Sequence, residues 1–214
     1  MKKTFTLAFI LLALAASAQL KLRSNTKGLN VSAGIHVLGW TSDYFEYLDK
    51  NAGSGVGGGL RVGYGITQLI EPYIAADFTS MGTGDVDAKS FSMTHIDFGV
   101  RFNFAGTVSN LRPFVEGGYT SRTGSIKRII LGNDYVDAKF MGGTPHAGGG
   151  LNYFLKPSVS LFAHGIFTLG KKSDLELNGV KQPDEAYVTT FRVSIGAMFN
   201  LSDLISGKES PQPC

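Results

Sequence analysis

The chain has 214 residues, room for one domain of ordinary size, and only 17% of them are charged, below the roughly one-quarter usual for a globular domain. Without Lys2 and Lys3, residues 19–214 hold 18 basic and 17 acidic side chains. That near balance argues against an electrostatic nucleic-acid partner, and Cys214, the only cysteine, excludes an internal disulfide.

The N-terminus reads MKKTFTLAFILLALAASAQ. Two lysines, an apolar run from Phe5 to Ala15 too short to span a bilayer, and Ala16-Ser17-Ala18 as an A-x-A cleavage site make residues 1–18 a secretory signal peptide. Residues 19–27 form a short lead. No cysteine follows the cleavage site, so this is not a lipoprotein signal.

Period-2 alternation then appears eight times, the pattern of half-buried strands. Leu29 to Val37 opens the series. The second run, GVGGGLRVGYGIT over residues 55–67, sets Val56, Leu60, Val62, Tyr64 and Ile66 against a line of glycines. Ile70 to Phe78 follows, and then the cleanest run, in which Ile96, Phe98, Val100, Phe102 and Phe104 oppose His95, Asp97, Gly99, Arg101 and Asn103. Pro113 to Tyr119, Ala147 to Tyr153, Val159 to Phe167 and Phe191 to Phe199 complete the set, the seventh being weakest because Phe162 and Ile166 fall on its polar side.

Connections alternate in length: tight near Thr67-Gln68, residues 106–110 and Lys156-Pro157, and long over roughly 40–53, 81–90, 122–139 and 170–186. This predicts an up-and-down antiparallel meander of eight strands. Closing it into a barrel removes both unpaired edges.

Lysine separates a water-filled surface from a lipid-facing one. All thirteen lysines lie in the signal peptide, the connections or the tail, and none in the alternating runs. The polar face is made of small residues, suited to the narrow interior of eight strands. The apolar face therefore meets lipid, and the glycines of residues 55–65 relieve crowding inside. The outward set Ile96 to Phe104 spans nine residues, roughly 20 Å of membrane normal at a tilt of ~45°, near the ~25 Å apolar band of such barrels. Trp40, Phe78, Phe91 and Phe167 at one end, and Phe104, Tyr153 and Phe199 at the other, are expected as interfacial girdles.

These eight runs, with Arg112-Pro-Phe-Val-Glu-Gly-Gly-Tyr119 and Phe191-Arg-Val-Ser-Ile-Gly-Ala-Met-Phe199, resemble the small outer-membrane barrels of the OmpA/OmpX type over about residues 27–201. The resemblance implies an all-β, eight-stranded antiparallel transmembrane barrel over 28–201, placed in the bacterial outer membrane. It also implies termini and short turns in the periplasm and long loops outside. Residues 202–214 form a C-terminal tail, where members of that family often end on the last strand. No peptidoglycan-binding domain follows, so anchoring through one is not expected.

Several constellations bear on chemistry. Gly53-Ser-Gly55-Val-Gly-Gly58 matches G-x-G-x-x-G, but a strand rather than a helix follows it, which removes the dinucleotide reading. His36, His95, His146 and His164 all face inward without metal-ligand spacing, so no metal and no cofactor is expected. No His stands in a His-x-Ser context of the kind a rim Ser, His and carboxylate set would offer, which leaves a lipid-modifying enzyme as a minor alternative.

The inward charges are Arg61, Arg101 and Arg192 against Glu71, Asp77, Asp97 and Glu116. Counted from the turn near residue 108, Arg101 and Glu116 fall nearly opposite. These seven residues are expected to form a charge network plugging the lumen. The function read from the sequence is a non-enzymatic, monomeric barrel, embedded in outer-membrane lipid with the help of the assembly machinery. It presents four extracellular loops, among them Asp43 to Tyr47 and Lys127 to Leu131, to an unknown ligand for surface interaction or adhesion. A narrow pore for small solutes is the other alternative.

Overall fold

The computed structural model describes residues 22–84, 86–131 and 134–202. The expected signal peptide, Cys214 and nearly all of the tail lie outside the described residues. Eight antiparallel strands follow in chain order: β1 Gly28–Ser42, β2 Ser54–Gly65, β3 Ile70–Met81, β4 Ser90–Asn103, β5 Leu111–Leu131, β6 Asp134–Lys156, β7 Val159–Leu177 and β8 Val180–Asn200. Each pairs with the next, and β8 returns to β1, from Asn30 opposite Asn200 to Ser42 opposite Val188, closing the barrel. Closure satisfies every ladder within the sheet, the condition a sheet must meet in hydrocarbon. One short helix, α1 Glu46–Asn51, lies between β1 and β2, and no helix among the described residues is long and apolar enough to cross a membrane.

The alternation sorts side chains as the sequence predicts. Ile35, Val56, Leu60, Phe78, Phe98 and Ile195 point outward and are exposed, forming part of a continuous apolar belt. The other parity turns inward and is buried, including Asn30, Ser32, His36, Arg61, Glu71 and Asp97.

Strand lengths divide the barrel into two heights. The 12 residues of β2 and β3 cover roughly 28 Å at ~3.3 Å per residue and a tilt of ~45°, about one apolar band. The 21 residues of β5 and β8 and the 23 of β6 cover nearly twice that. The excess stands at the end opposite the chain termini, hereafter the distal end, as a four-stranded wall of β5–β8.

The described residues of two long connections expected there, 122–139 and 170–186, are therefore strand, apart from Asn178 and Gly179. The cause is local. Ser125 to Leu131 and Asp134 to Val136 are rich in β-branched and aromatic residues. Asn178 and Gly179 both take positive φ, 50° and 79°, in a two-residue turn that twists with the strands it joins. Lys127, Lys139 and Lys181, expected in loops, lie in the wall, where the outward face changes from apolar to charged with Asp137, Asp174 and Glu176 alongside them.

Candidate functional site

The lumen is filled at three levels, and each level is set by inward parity. At the middle, Glu116 of β5 receives two guanidiniums. Arg61 reaches it from β2, two strands beyond the neighbouring one, with Nη1 to Oε2 at 2.7 Å and Nη2 to Oε1 at 2.9 Å. Arg101, its register partner on β4, donates Nε and Nη2 to Oε2, each at 3.0 Å. Aromatic faces support both cations: Arg61 lies 4.1 Å from the Tyr73 ring centroid and Arg101 3.8 Å from that of Phe114. His164 Nδ1 stands 3.6 Å from Glu116 Oε1.

A second cluster forms around Arg192 of β8, whose guanidinium bridges Asp77 of β3 and Asp97 of β4, the latter at 2.6 Å. From Asp97 a chain of hydrogen bonds crosses the lumen. Thr120 donates to Asp97 at 2.7 Å, lies 2.9 Å from His146 Nδ1, and His146 Nε2 lies 2.9 Å from the Tyr73 hydroxyl. Glycines of β2 make room for the carboxylates of β3. A Cβ on Gly59 would overlap the Asp77 carboxylate of its register partner, and one on Gly63 would overlap that of Glu71. Of the seven inward charges the sequence singles out, six thus join two clusters. Glu71 is buried nearer the base and makes no ion pair with a described residue.

At the base, residues 23–27 of the lead cross beneath the barrel. Arg23 and Ser24 donate backbone N–H to Thr107 O at 2.8 and 3.0 Å, and Asn25 donates to Pro157 O at 2.8 Å. Arg112 fastens this segment to the turns. Nη1 donates to Thr26 Oγ1 at 2.9 Å, Nη2 to Gln68 O at 2.5 Å and Nε to Phe104 O at 3.3 Å. Ser24, Asn25 and Thr26 are buried by this arrangement.

At the distal end the inward face turns apolar. Leu38, Trp40, Phe91, Ile126, Phe140 and Val188 form the heart of a core inside the barrel, into which Leu48 of α1 and Val86 of the following loop descend. Trp40 and Phe91, expected at a lipid interface, are 3% and 1% exposed in this core. Trp40 stacks on Phe140 at 5.8 Å and donates Nε1–H to Ala52 O at 2.9 Å. Phe78, Phe167, Phe104, Tyr153 and Phe199 do face outward. The misplaced pair shares the parity of His36 and His95, so alternation carried the signal that proximity to a strand end concealed.

Arg112 and Arg122, outside the seven charges singled out by the sequence, share the parity of Glu116 and also turn inward. Both are fully buried. Among the described residues no group of three or more His, Cys, Asp or Glu is placed to hold a metal ion. The nearest approach to a hydrolytic set is Thr79, whose Oγ1 lies 2.8 Å from His36 Nε2, with His36 Nδ1 4.0 Å from Asp77 Oδ1. Thr79 is buried in the lumen, the His–Asp separation exceeds a hydrogen bond, and the cavity beside His36, Arg61 and Asp77 measures about 20 Å³, room for about one water.

Neither a protein-family model nor a curated protein matches the chain. Solved structures do. Neisserial surface protein A superposes with a TM-score of 0.56 at 18% identity, covering 81% of this chain and 97% of its own. The chain has the fold of the small outer-membrane β-barrels. OprG from Pseudomonas aeruginosa gives 0.55 at 12% identity, covering 84% of this chain and 98% of its own. Ail, the attachment invasion locus protein of Yersinia pestis, gives 0.51 at 16%, covering 81% and 100%, and a second Ail structure holds the heparin analogue sucrose octasulfate.

Proposed function

We propose that this barrel sits in the bacterial outer membrane as a monomeric, non-enzymatic scaffold, closed to solutes, whose distal wall and loops form a recognition surface outside the cell. The observation that carries this reading is the threefold filling of the lumen by lead, ion network and apolar core. A conducting barrel needs a wet path, and buried side chains standing across the lumen at each of these levels support closure.

The distal end gains the substance the membrane part lacks. β5–β8 rise well past the apolar belt and turn a charged face outward, and Asp43 ties the first loop to the wall by accepting Tyr187 N–H at 2.8 Å. Rigid strands beneath short turns present side chains at little entropic cost. Ail offers a precedent for a ligand on such a fold, but two wall lysines here are each engaged by an aspartate, Lys127 by Asp137 at 2.9 Å and Lys181 by Asp174 at 3.1 Å. That makes the surface a poor polyanion site and favours a ligand of mixed charge.

Planar-bilayer recording of the purified barrel tests the closure: no conductance steps are expected, and regular steps would support the narrow pore instead. Orientation is tested by an impermeant thiol reagent on whole cells carrying Cys214→Ser. Cysteine at Asn178 should react and cysteine at Gln68 should not; the opposite pattern would put the wall in the periplasm.

A further inference from the structure

Arg122 stands apart from the ion pairs beneath it. It lies on the inward face of β5, directly opposite His95 of β4 in the register. Its side chain is 1% exposed. Nη2 donates to Ser173 Oγ at 3.1 Å, over Gly142, where a Cβ would come within 2.5 Å of that hydroxyl. Nε and Nη1 meet no hydrogen-bonding group among the described residues, and neither do the two ring nitrogens of fully buried His95.

The other inward charges on the strands of the described residues balance without it. Arg61, Arg101 and Arg192 face Glu116, Asp77 and Asp97, three cations and three anions. Nearer the base, Glu71 and Arg112 add one of each. Arg122 is the remaining guanidinium. Arginine does not shed its proton, so burial cannot neutralise it, and an uncompensated buried charge is strongly unfavourable. Above it the apolar core, including Ile126 and Phe140, carries no charge, and the Asp49 carboxylate of α1 accepts the Ser42 N–H at 3.0 Å. Below it Arg192 is already shared between Asp77 and Asp97.

We propose that Arg122 and His95 form a buried site for one small monovalent anion, chloride, seated between the ion network and the apolar core. Nε and Nη1 of Arg122 supply two donors and the charge, and a neutral His95 supplies a third N–H. A water could accept the same hydrogen bonds but would leave the charge unmatched. Three N–H donors around a single charge, beneath an apolar core, suit an ion of halide size rather than a phosphate or sulfate. Exchange requires movement of α1 or of the second distal loop and is therefore slow.

The test uses the full barrel in detergent. Crystals exchanged into bromide and measured at the bromine edge should show an anomalous peak within hydrogen-bond reach of Arg122 Nε and Nη1. In solution, replacing gluconate by chloride at constant ionic strength should raise the Tm of the wild-type barrel in a concentration-dependent way. Arg122→Met should lose that dependence, whereas Lys127→Met in the wall should keep it. If Arg122→Met does not fold, the wild-type peak and the wild-type chloride dependence decide the matter alone. No bromide at Arg122, or a Tm indifferent to chloride, overturns the proposal. A bromide peak without any chloride dependence marks binding at crystal concentration only and overturns it equally.

Discussion

Glu116 on β5 and Arg61 on β2 meet across the lumen in a two-pronged pair at 2.7 and 2.9 Å, and the same carboxylate also holds Arg101. One carboxylate therefore serves two buried cations, and the three residues are not equivalent. Glu116→Gln strands both guanidiniums and is expected to cost at least the about 3–5 kcal/mol of a broken buried ion pair. Arg101→Met leaves the Arg61 pair intact and costs less. Removing Arg101 and Glu116 together still strands Arg61, so full recovery requires Arg61→Met as well. Urea unfolding of the single, double and triple variants in lipid vesicles measures this. Additive losses across the series would mean that the charges are solvated one by one and that the lumen is wet at this level.

Gly59 and Gly117 test the role of glycine. Both lie in strands, but Gly59 faces inward beneath the Asp77 carboxylate, whereas Gly117 faces outward, with His146 O 3.6 Å from an added Cβ. Gly59→Ala is expected to destabilise the barrel by about 1–3 kcal/mol through overpacking. Gly117→Ala makes only ordinary contact and should be neutral or slightly stabilising, since alanine restricts the unfolded chain. Equal effects at the two positions in the same unfolding assay would remove the steric explanation for the glycine-rich second strand.

The inward and outward faces were legible because a strand alternates with a period of two and each medium selects its own face. The Asp77 and Asp97 clasp around Arg192 and the Arg61–Glu116 pair were not. Each joins strands far apart in sequence, and only closure of the barrel sets them across a lumen one side chain wide. The wall was half legible: the β-branched residues between Lys127 and Leu131 favour a strand, whereas the Asn178-Gly179 turn lies amid the lysines of its segment. Polarity there suggests a loop, but above a membrane a strand needs no apolar outer face. The lead across the base left no periodic trace, because its hydrogen bonds run through backbone groups that any sequence carries.

Asp137 makes the wall sensitive to acid. Its carboxylate accepts Lys127 Nζ–H and the backbone N–H of Arg128, both at 2.9 Å, and so holds the bulge at which Arg128 takes a φ of 52°. The hydrogen bond from Lys127, then that from the Arg128 amide, holds its pKa below the ordinary aspartate value. A depressed folded pKa contributes stability that is present above the unfolded value, about 3.9, and is lost as pH falls through the folded one. The group is solvent-exposed, so the effect is local. A carboxyl NMR titration in micelles should give a midpoint below that of a free aspartate, moving upward in Lys127→Met, and exchange at the Arg128 amide should quicken below that midpoint. A midpoint at or above the ordinary value would contradict the contact.

Trp40 decides whether the distal half of the barrel is an apolar core or a lipid-facing girdle. It is the only tryptophan, so emission from the chain reports this residue alone. Its ring lies between Phe91 at 5.1 Å and Phe140 at 5.8 Å inside the barrel, and its N–H is taken up by Ala52 O at the end of the α1 connection. Emission should therefore be blue-shifted and indifferent to brominated lipids at any depth, because the barrel wall separates the indole from the acyl chains. A tryptophan at the interface would be quenched by bromine near the headgroups. Loss of the ring should also loosen what it holds: Trp40→Ala is expected to cost about 3–5 kcal/mol, the range for truncating a large buried aromatic. Leu48→Asp, which places a charge on α1 in the same core, should expel the helix and red-shift the Trp40 emission while leaving the belt below intact. Strong quenching of the wild type, or a red-shifted emission that Leu48→Asp does not alter, would place Trp40 outside the barrel and leave the lumen without its distal closure.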